Sequence, residues 1–197
     1  MSSKPRRILT AIFVLFLSGL SVLDHAGAFG HRGVDRDRYT DVEAVVTHAA
    51  DGGTFDVDIP DGTREVTRIR QWGVECPEIA HGTSEADAWF VRNAAEYIRS
   101  QVVGQRVRLV LEPYRPSRDK YGRLLAYVYL VESAEMLNET LLDRGLAYAD
   151  QRFEHVMKFS FEQREKRAAK TGVGLWKGIT PDQMPEWRQR MDAEQAR

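Results

Sequence analysis

From Tyr39 onward apolar and polar residues alternate. Val42, Ala44 and Val46 recur at period two, the pattern of a strand buried on one face. Asp51-Gly52-Gly53 breaks the run as a turn, and Phe55, Val57 and Ile59 resume the alternation. Pro60-Asp61-Gly62 marks a second turn, after which Val66, Ile69 and Val74 predict a third strand. Three strands joined by tight turns form a meander.

The period then lengthens. Ser84 with Asp87 reads as a capping box, and Phe90, Ala94 and Ile98 fall on one helical face, with Gly104 as a stop. Val107, Leu109 and Leu111 predict a fourth strand. Asp119 to Gly122 reads as a hairpin turn, and Leu125, Tyr127 and Tyr129 predict the fifth strand. A short helix fits Asn138 to Arg144, with Gly145 just past its end. A longer one fits Glu154 to Lys170, turning Met157, Phe161 and Ala168 inward, with Leu175 and Trp176 docking back on the core. Five short strands with three interposed helices define an α+β protein organised around a small barrel.

The ends differ from this body. Lys4, Arg6 and Arg7 precede an apolar run from Ile8 to Leu23, and Ala26-Gly27-Ala28 supplies a small-residue cleavage site. Residues 1–28 are therefore expected to be an export signal, with a retained N-terminal anchor as the alternative. The expected location is secreted or periplasmic. Residues 29–38 lack periodicity and read as a linker, and 178–197 read as a charged tail, with one domain spanning 39–177.

Composition narrows the chemistry. With 43% hydrophobic and 29% charged residues the chain is an ordinary soluble globular one. It has one cysteine, Cys76, so no intramolecular disulfide partner exists and packing must hold the fold. The 28 basic and 29 acidic residues lose three and one on removal of 1–28, leaving a net charge near −3. Such a chain does not coat nucleic acid by bulk charge, and a polyanion would need a local basic cluster. Cys76, Glu78 and His81 match no common zinc spacing. Trp89, Phe90 and Tyr97 read as core, and Arg164, Lys166, Arg167 and Lys170 as a solvated helix face.

Five strings carry a more specific signal. They are Asp51-Gly52-Gly53-Thr54, the segment Arg70 to Glu78 (RQWGVECPE), the segment Asp119 to Tyr127 (DKYGRLLAY), Leu137-Asn138-Glu139 with Gly145-Leu146-Ala147, and Gly174-Leu175-Trp176. In this order and spacing the chain resembles the staphylococcal nuclease (thermonuclease) family from about Tyr39 to Trp176. The resemblance implies a five-stranded OB-fold barrel and a phosphodiester hydrolase acting on DNA or RNA; the expected state is a monomer. It implies that Arg70 and Arg123 clamp the scissile phosphate and that Glu78 positions or deprotonates the attacking water. Lys120 and Tyr121 would contact a neighbouring phosphate. Calcium (Ca2+) would be the cofactor, held by Glu75, Asp51 and the backbone carbonyl of Cys76. These residue types suit the reaction: guanidinium forks pair with phosphate oxygens, a carboxylate activates water, and a hard dication takes oxygen ligands.

Two departures fall on the expected metal site and a third on the expected base contact. Gly53 occupies the position of the family's second turn aspartate, a calcium ligand, and Glu75 replaces an aspartate with a longer side chain. Either Glu75 reaches further and Asp51 moves in, leaving a weaker calcium site, or metal binding is lost. After Ala147 the family's tyrosine pair is missing, which leaves Phe153 or Tyr148 to stack on a base. The favoured expectation is an exported nuclease-like phosphodiesterase with weakened metal dependence. The alternatives are a non-catalytic barrel that binds nucleic acid, a nucleotide or a protein partner in the cell envelope, and a purely structural barrel.

Overall fold

A computed structural model describes residues 32–77 and 85–195. The expected export signal, Glu78, and the expected helix cap at Ser84 lie outside the described residues. The stretch read as a linker carries a helix, α1 (Arg32–Tyr39), and a separate compact unit runs from Tyr39 to Arg197.

Five strands close that second unit into a barrel: β1 (Val42–Ala49), β2 (Thr54–Val57), β3 (Thr67–Gln71), β5 (Arg106–Leu111) and β6 (Leu124–Leu130). The order is β1-β2-β3-β6-β5, with β3 and β6 parallel and every other pair antiparallel. The barrel and its helices make the α+β architecture that the alternation predicts, of the OB-fold kind that the family resemblance implies. Phe55, Ile69, Val107, Leu109, Leu124 and Val128 fill the interior with no exposed surface. In β1 the alternation shifts: Ala44 and Val46 are buried, and an irregularity between Val46 and His48 turns Ala49 inward. An extra residue in one strand does this by breaking the two-residue period.

The expected third strand ends early. Trp72-Gly73 form a turn, and Val74 belongs instead to β4 (Val74–Glu75), which pairs with β7 (Tyr148–Ala149). Gly73 has φ +74°, and a Cβ there would lie 2.5 Å from His155 Cε1, so only glycine fits the turn. The buried amide of Asn138 staples the turn: its Nδ2 donates to the Trp72 carbonyl and its Oδ1 accepts from Val128 N–H, both at 2.9 Å. The sequence reading did not anticipate β4 and β7, because two residues are too few to show a period.

The helices are α2 (Glu85–Gln101), α3 (Leu137–Asp143), α4 (Lys158–Thr171) and α5 (Glu186–Gln195). In α2, Ala94 packs on the 51–53 turn, where a Cβ on Gly52 would come within 2.6 Å of it. Arg164, expected on a solvated face, instead pairs with Glu139 at 2.7 Å and with Asp143, joining α4 to α3. Lys166, Arg167 and Lys170 are exposed.

The expected charged tail is a docked element. Trp187 of α5 is buried beside Tyr148 and Leu175, with Trp176, Ile179, Met184 and Met191 around them. Arg188 reaches the buried Glu165 carboxylate at 2.6 Å, and the other oxygen of Glu165 accepts from Ala149 N–H at 3.0 Å. Burying Trp187 and its neighbours contributes a few kcal/mol, on the order of 1.5–3 per large apolar side chain, which is sufficient to hold an otherwise polar helix.

Candidate active site

The 51–53 turn is fixed from several directions. Ala50 and Asp51 N–H both donate to the Thr54 carbonyl, and Asp51 Oδ1 accepts from Gly53 N–H at 2.7 Å. Gln71 donates its backbone N–H to the Gly53 carbonyl at 2.9 Å and its side-chain amide to the Gly52 carbonyl at 3.3 Å. Gln71 follows Arg70, so the same residues that hold the turn hold the arginine beside it.

Arg70 lies on β3 directly across from Thr54. Its guanidinium lies over Gly53: a Cβ on that residue would be 2.3 Å from Arg70 Nη1. Nη2 donates to Glu75 Oε2 at 3.0 Å and to the Val74 carbonyl at 3.3 Å. Among the described residues nothing bonds Nε or Nη1 of Arg70.

Arg123 approaches the next residue of the turn. Its Nη1 donates to Thr54 Oγ1 at 3.3 Å, and its Nε donates to Asp119 Oδ2 at 2.7 Å. Asp119 Oδ1 accepts from the backbone N–H groups of Tyr121 (2.9 Å) and Arg123 (3.0 Å), so one carboxylate both shapes the turn and aims the guanidinium. The segment is anchored by Arg118, whose Nη1 and Nη2 donate to Asp61 at 2.7 and 3.0 Å. The residues from Asp119 to Gly122 do form a turn, closed by Gly122 N–H on the Asp119 carbonyl at 3.0 Å. The link between the paired strands β5 and β6 nevertheless spans residues 112–123, longer than a hairpin turn.

Thus the two guanidinium groups stand on consecutive residues, Arg70 over Gly53 and Arg123 against Thr54, with donors left over on each. Tyr121 is 69% exposed, and Lys120 Nζ (5.0 Å) and Arg123 Cζ (5.4 Å) face its ring. Of the two aromatic candidates for stacking, Tyr148 is buried in the α5 cluster. Phe153 is half exposed, 5.8 Å from the Trp72 ring.

A third arginine was not anticipated. The β4–β7 pairing sets Glu75 opposite Tyr148, and the chain leaving β7 carries Arg152 back to Glu75. Arg152 Nη2 donates to Glu75 Oε2 at 2.6 Å, while Nε and Nη2 grip Asp150 at 2.8 and 2.7 Å. The Asp150 carboxylate first, and Glu75 after it, hold the guanidinium above its ordinary pKa against the opposing effect of burial. Its Cζ sits 4.8 Å over the Trp187 ring and 5.6 Å over Phe153. No local signal marks Arg152, because its partner Glu75 lies 77 residues away and Trp187 belongs to α5.

These positions test the expected cation ligands. Gly53 offers no side-chain oxygen, and Arg70 fills the space a side chain there would enter. Glu75 Oε2 is shared by two arginines. Cys76 is buried, with its Sγ against Gly52. Among the described residues no three His, Cys, Asp or Glu side chains cluster to hold a metal ion. So arranged, the side chains described at this turn supply fewer oxygen ligands than the six to eight that calcium takes.

A closed five-stranded mixed barrel with helices packed around it defines the chain as an OB-fold protein. Residues 68–178 match the model of the staphylococcal nuclease homologue family, and the chain belongs to that family. It is 34% identical over 135 residues to the thermonuclease of Staphylococcus intermedius, covering 67% of this chain and 74% of that protein. It is 29% identical over 170 residues to the thermonuclease of Staphylococcus hyicus, covering 86% of this chain and 93% of that one. A probable endonuclease LCL3 of Coccidioides posadasii is 29% identical over 156 residues, covering 70% of this chain and 49% of that longer protein.

Proposed function

We propose that this protein is an exported phosphodiesterase that cleaves DNA or RNA, with Arg70 and Arg123 as its phosphate clamp. The carrying observation is that both guanidinium groups meet the Gly53–Thr54 step and keep N–H donors unengaged among the described residues. A phosphodiester seated there would receive donors from both sides, and charge building on its oxygens in the transition state would be stabilised. Water adds to phosphorus, the bond to the 5′ oxygen breaks, and that oxygen leaves with a proton taken from solvent. By family resemblance Glu78 takes the water's proton, and the ends left are 3′-phosphate and 5′-hydroxyl. Lys120 and Tyr121 would meet the next phosphate, and Phe153 beside Trp72 offers a face to a base. The apolar run from Ile8 to Leu23 is the support for export.

The test is cleavage of plasmid DNA and single-stranded RNA by the full chain, with end-group analysis. Products with 3′-phosphate ends support the reading, and intact nucleic acid under all cation conditions opposes it. A second reading, binding without turnover, is favoured by Glu75 being engaged by Arg70 and Arg152. It would show as retention of an oligonucleotide with no cleavage.

A further inference from the structure

We infer that this chain has replaced the family's cation with protein charge: Arg70 and Arg152, joined through Glu75, form a closed cluster that has no calcium site. The inference rests on the nuclease reading for its activity arm, but its binding arm stands alone. Arg152 is a positioning residue in this arrangement, because it acts through Glu75.

Three observations converge on this cluster. First, the side-chain space at residue 53 is occupied by the Arg70 guanidinium, at 2.3 Å from the position of a Cβ. Second, one oxygen, Glu75 Oε2, accepts from Arg70 Nη2 (3.0 Å) and Arg152 Nη2 (2.6 Å). With Oε2 taken by both guanidinium groups, a dication approaching Glu75 meets two cations already seated on that carboxylate. Third, Arg152 is not a loose surface arginine. Asp150 takes its Nε and Nη2, and the Trp187 ring lies 4.8 Å beneath its Cζ. Trp187 is itself buried on the core of the C-terminal elements. The α5 helix therefore sets Arg152, Arg152 sets Glu75, and Glu75 sets the Arg70 fork.

Glu75 is longer by one methylene than the aspartate of the family pattern, and that length serves a purpose here. It carries the carboxylate to the two arginines. Gly53 serves the same end by vacating the space that Arg70 uses. The two departures in the sequence are thus one change seen at two positions.

The deciding experiment is calorimetric titration of the full chain with calcium chloride, beside the variant Gly53→Asp/Arg152→Gln. The native chain is expected to show no saturable binding tighter than roughly 1 mM, the weak end of natural calcium sites. The double variant is expected to bind at least about tenfold tighter, because it adds a carboxylate and removes a competing cation. Circular dichroism checks that it folds, and Arg152→Gln alone, expected to gain affinity in the same direction, replaces it if it does not. One calcium ion bound per native chain below roughly 1 mM would overturn the inference. A second arm measures cleavage by the native chain in EDTA. Undiminished cleavage supports the cluster; cleavage that needs calcium overturns it and leaves the nuclease reading intact. No cleavage under any condition removes the nuclease reading, while the titration still decides the cluster.

Discussion

The guanidinium of Arg70 lies where a side chain on Gly53 would begin, with Nη1 2.3 Å from the place a Cβ would take. The glycine at this turn is there for space, and the space belongs to an arginine. Gly53→Ala would move the far end of a flexible side chain, so folding stability should change by no more than about 1 kcal/mol. Displacing a phosphate-binding group by an ångström can cost on the order of a hundredfold in rate. A thermal melt set beside a cleavage rate should therefore show a nearly unchanged midpoint and a rate lowered at least about tenfold.

Asp119 ties backbone and side chain together, accepting from Tyr121 N–H, Arg123 N–H and Arg123 Nε. Asp119→Ala should cost about 1–3 kcal/mol and let the Arg123 fork drift from Thr54. Activity should fall while oligonucleotide binding weakens less, since Arg70 and Lys120 remain. Equal kinetics for the variant and the native chain would remove Asp119 from the site.

The docking of α5 turns on Arg188 and Glu165. The Glu165 side chain is 2% exposed, and its Oε2 meets Arg188 Nη1 at 2.6 Å. Arg188→Ala would leave that carboxylate buried without its cation, and a loss of about 3–5 kcal/mol is expected by urea unfolding. Replacing both residues with leucine should cost much less, because no charge is then stranded. If the single and double variants unfold alike, the pair does not hold the helix.

Acid should loosen the loop that carries Arg152 and Phe153. Tyr127 gives its one hydroxyl proton to Glu112 Oε2 at 2.6 Å, so the Tyr127 hydroxyl oxygen accepts from His155 Nδ1, 3.0 Å away. Burial first of all depresses the His155 pKa below its ordinary value, with nearby carboxylates opposing. The unfolded chain then binds a proton more readily than the folded one. The stability His155 contributes is complete above its ordinary value near 6.5 and is lost as pH falls from there through the lower folded pKa. Melting midpoints from pH 8 to pH 5 should drop across this window, and His155→Gln should flatten the drop. An unchanged slope in that variant would assign the acid sensitivity to other groups.

Much of the barrel was legible because strands such as β3 and β5 are half-buried and keep the period of two. Val107, Leu109 and Leu111 face inward, and the arginines of the site sit in strings that carry a family pattern. What was not legible depends on contacts between distant segments. The break of the third strand at Gly73 lies where His155, far along the chain, leaves no room for a Cβ. The docking of α5 rests on one buried tryptophan and one buried ion pair, too few to mark a face in a polar helix. Arg152 was invisible for the same reason: Asp150 is nearby in sequence, but Glu75 and Trp187 meet it only in the fold.

The most direct measurement is the rate of plasmid and RNA cleavage by the native full chain, Arg70→Lys and Arg123→Lys, with folding verified by circular dichroism. Lysine keeps the charge and loses the fork, so each variant should fall at least about a hundredfold below a measurable native rate. Native protein that leaves nucleic acid intact, or lysine variants that cleave as fast as it does, would contradict the clamp.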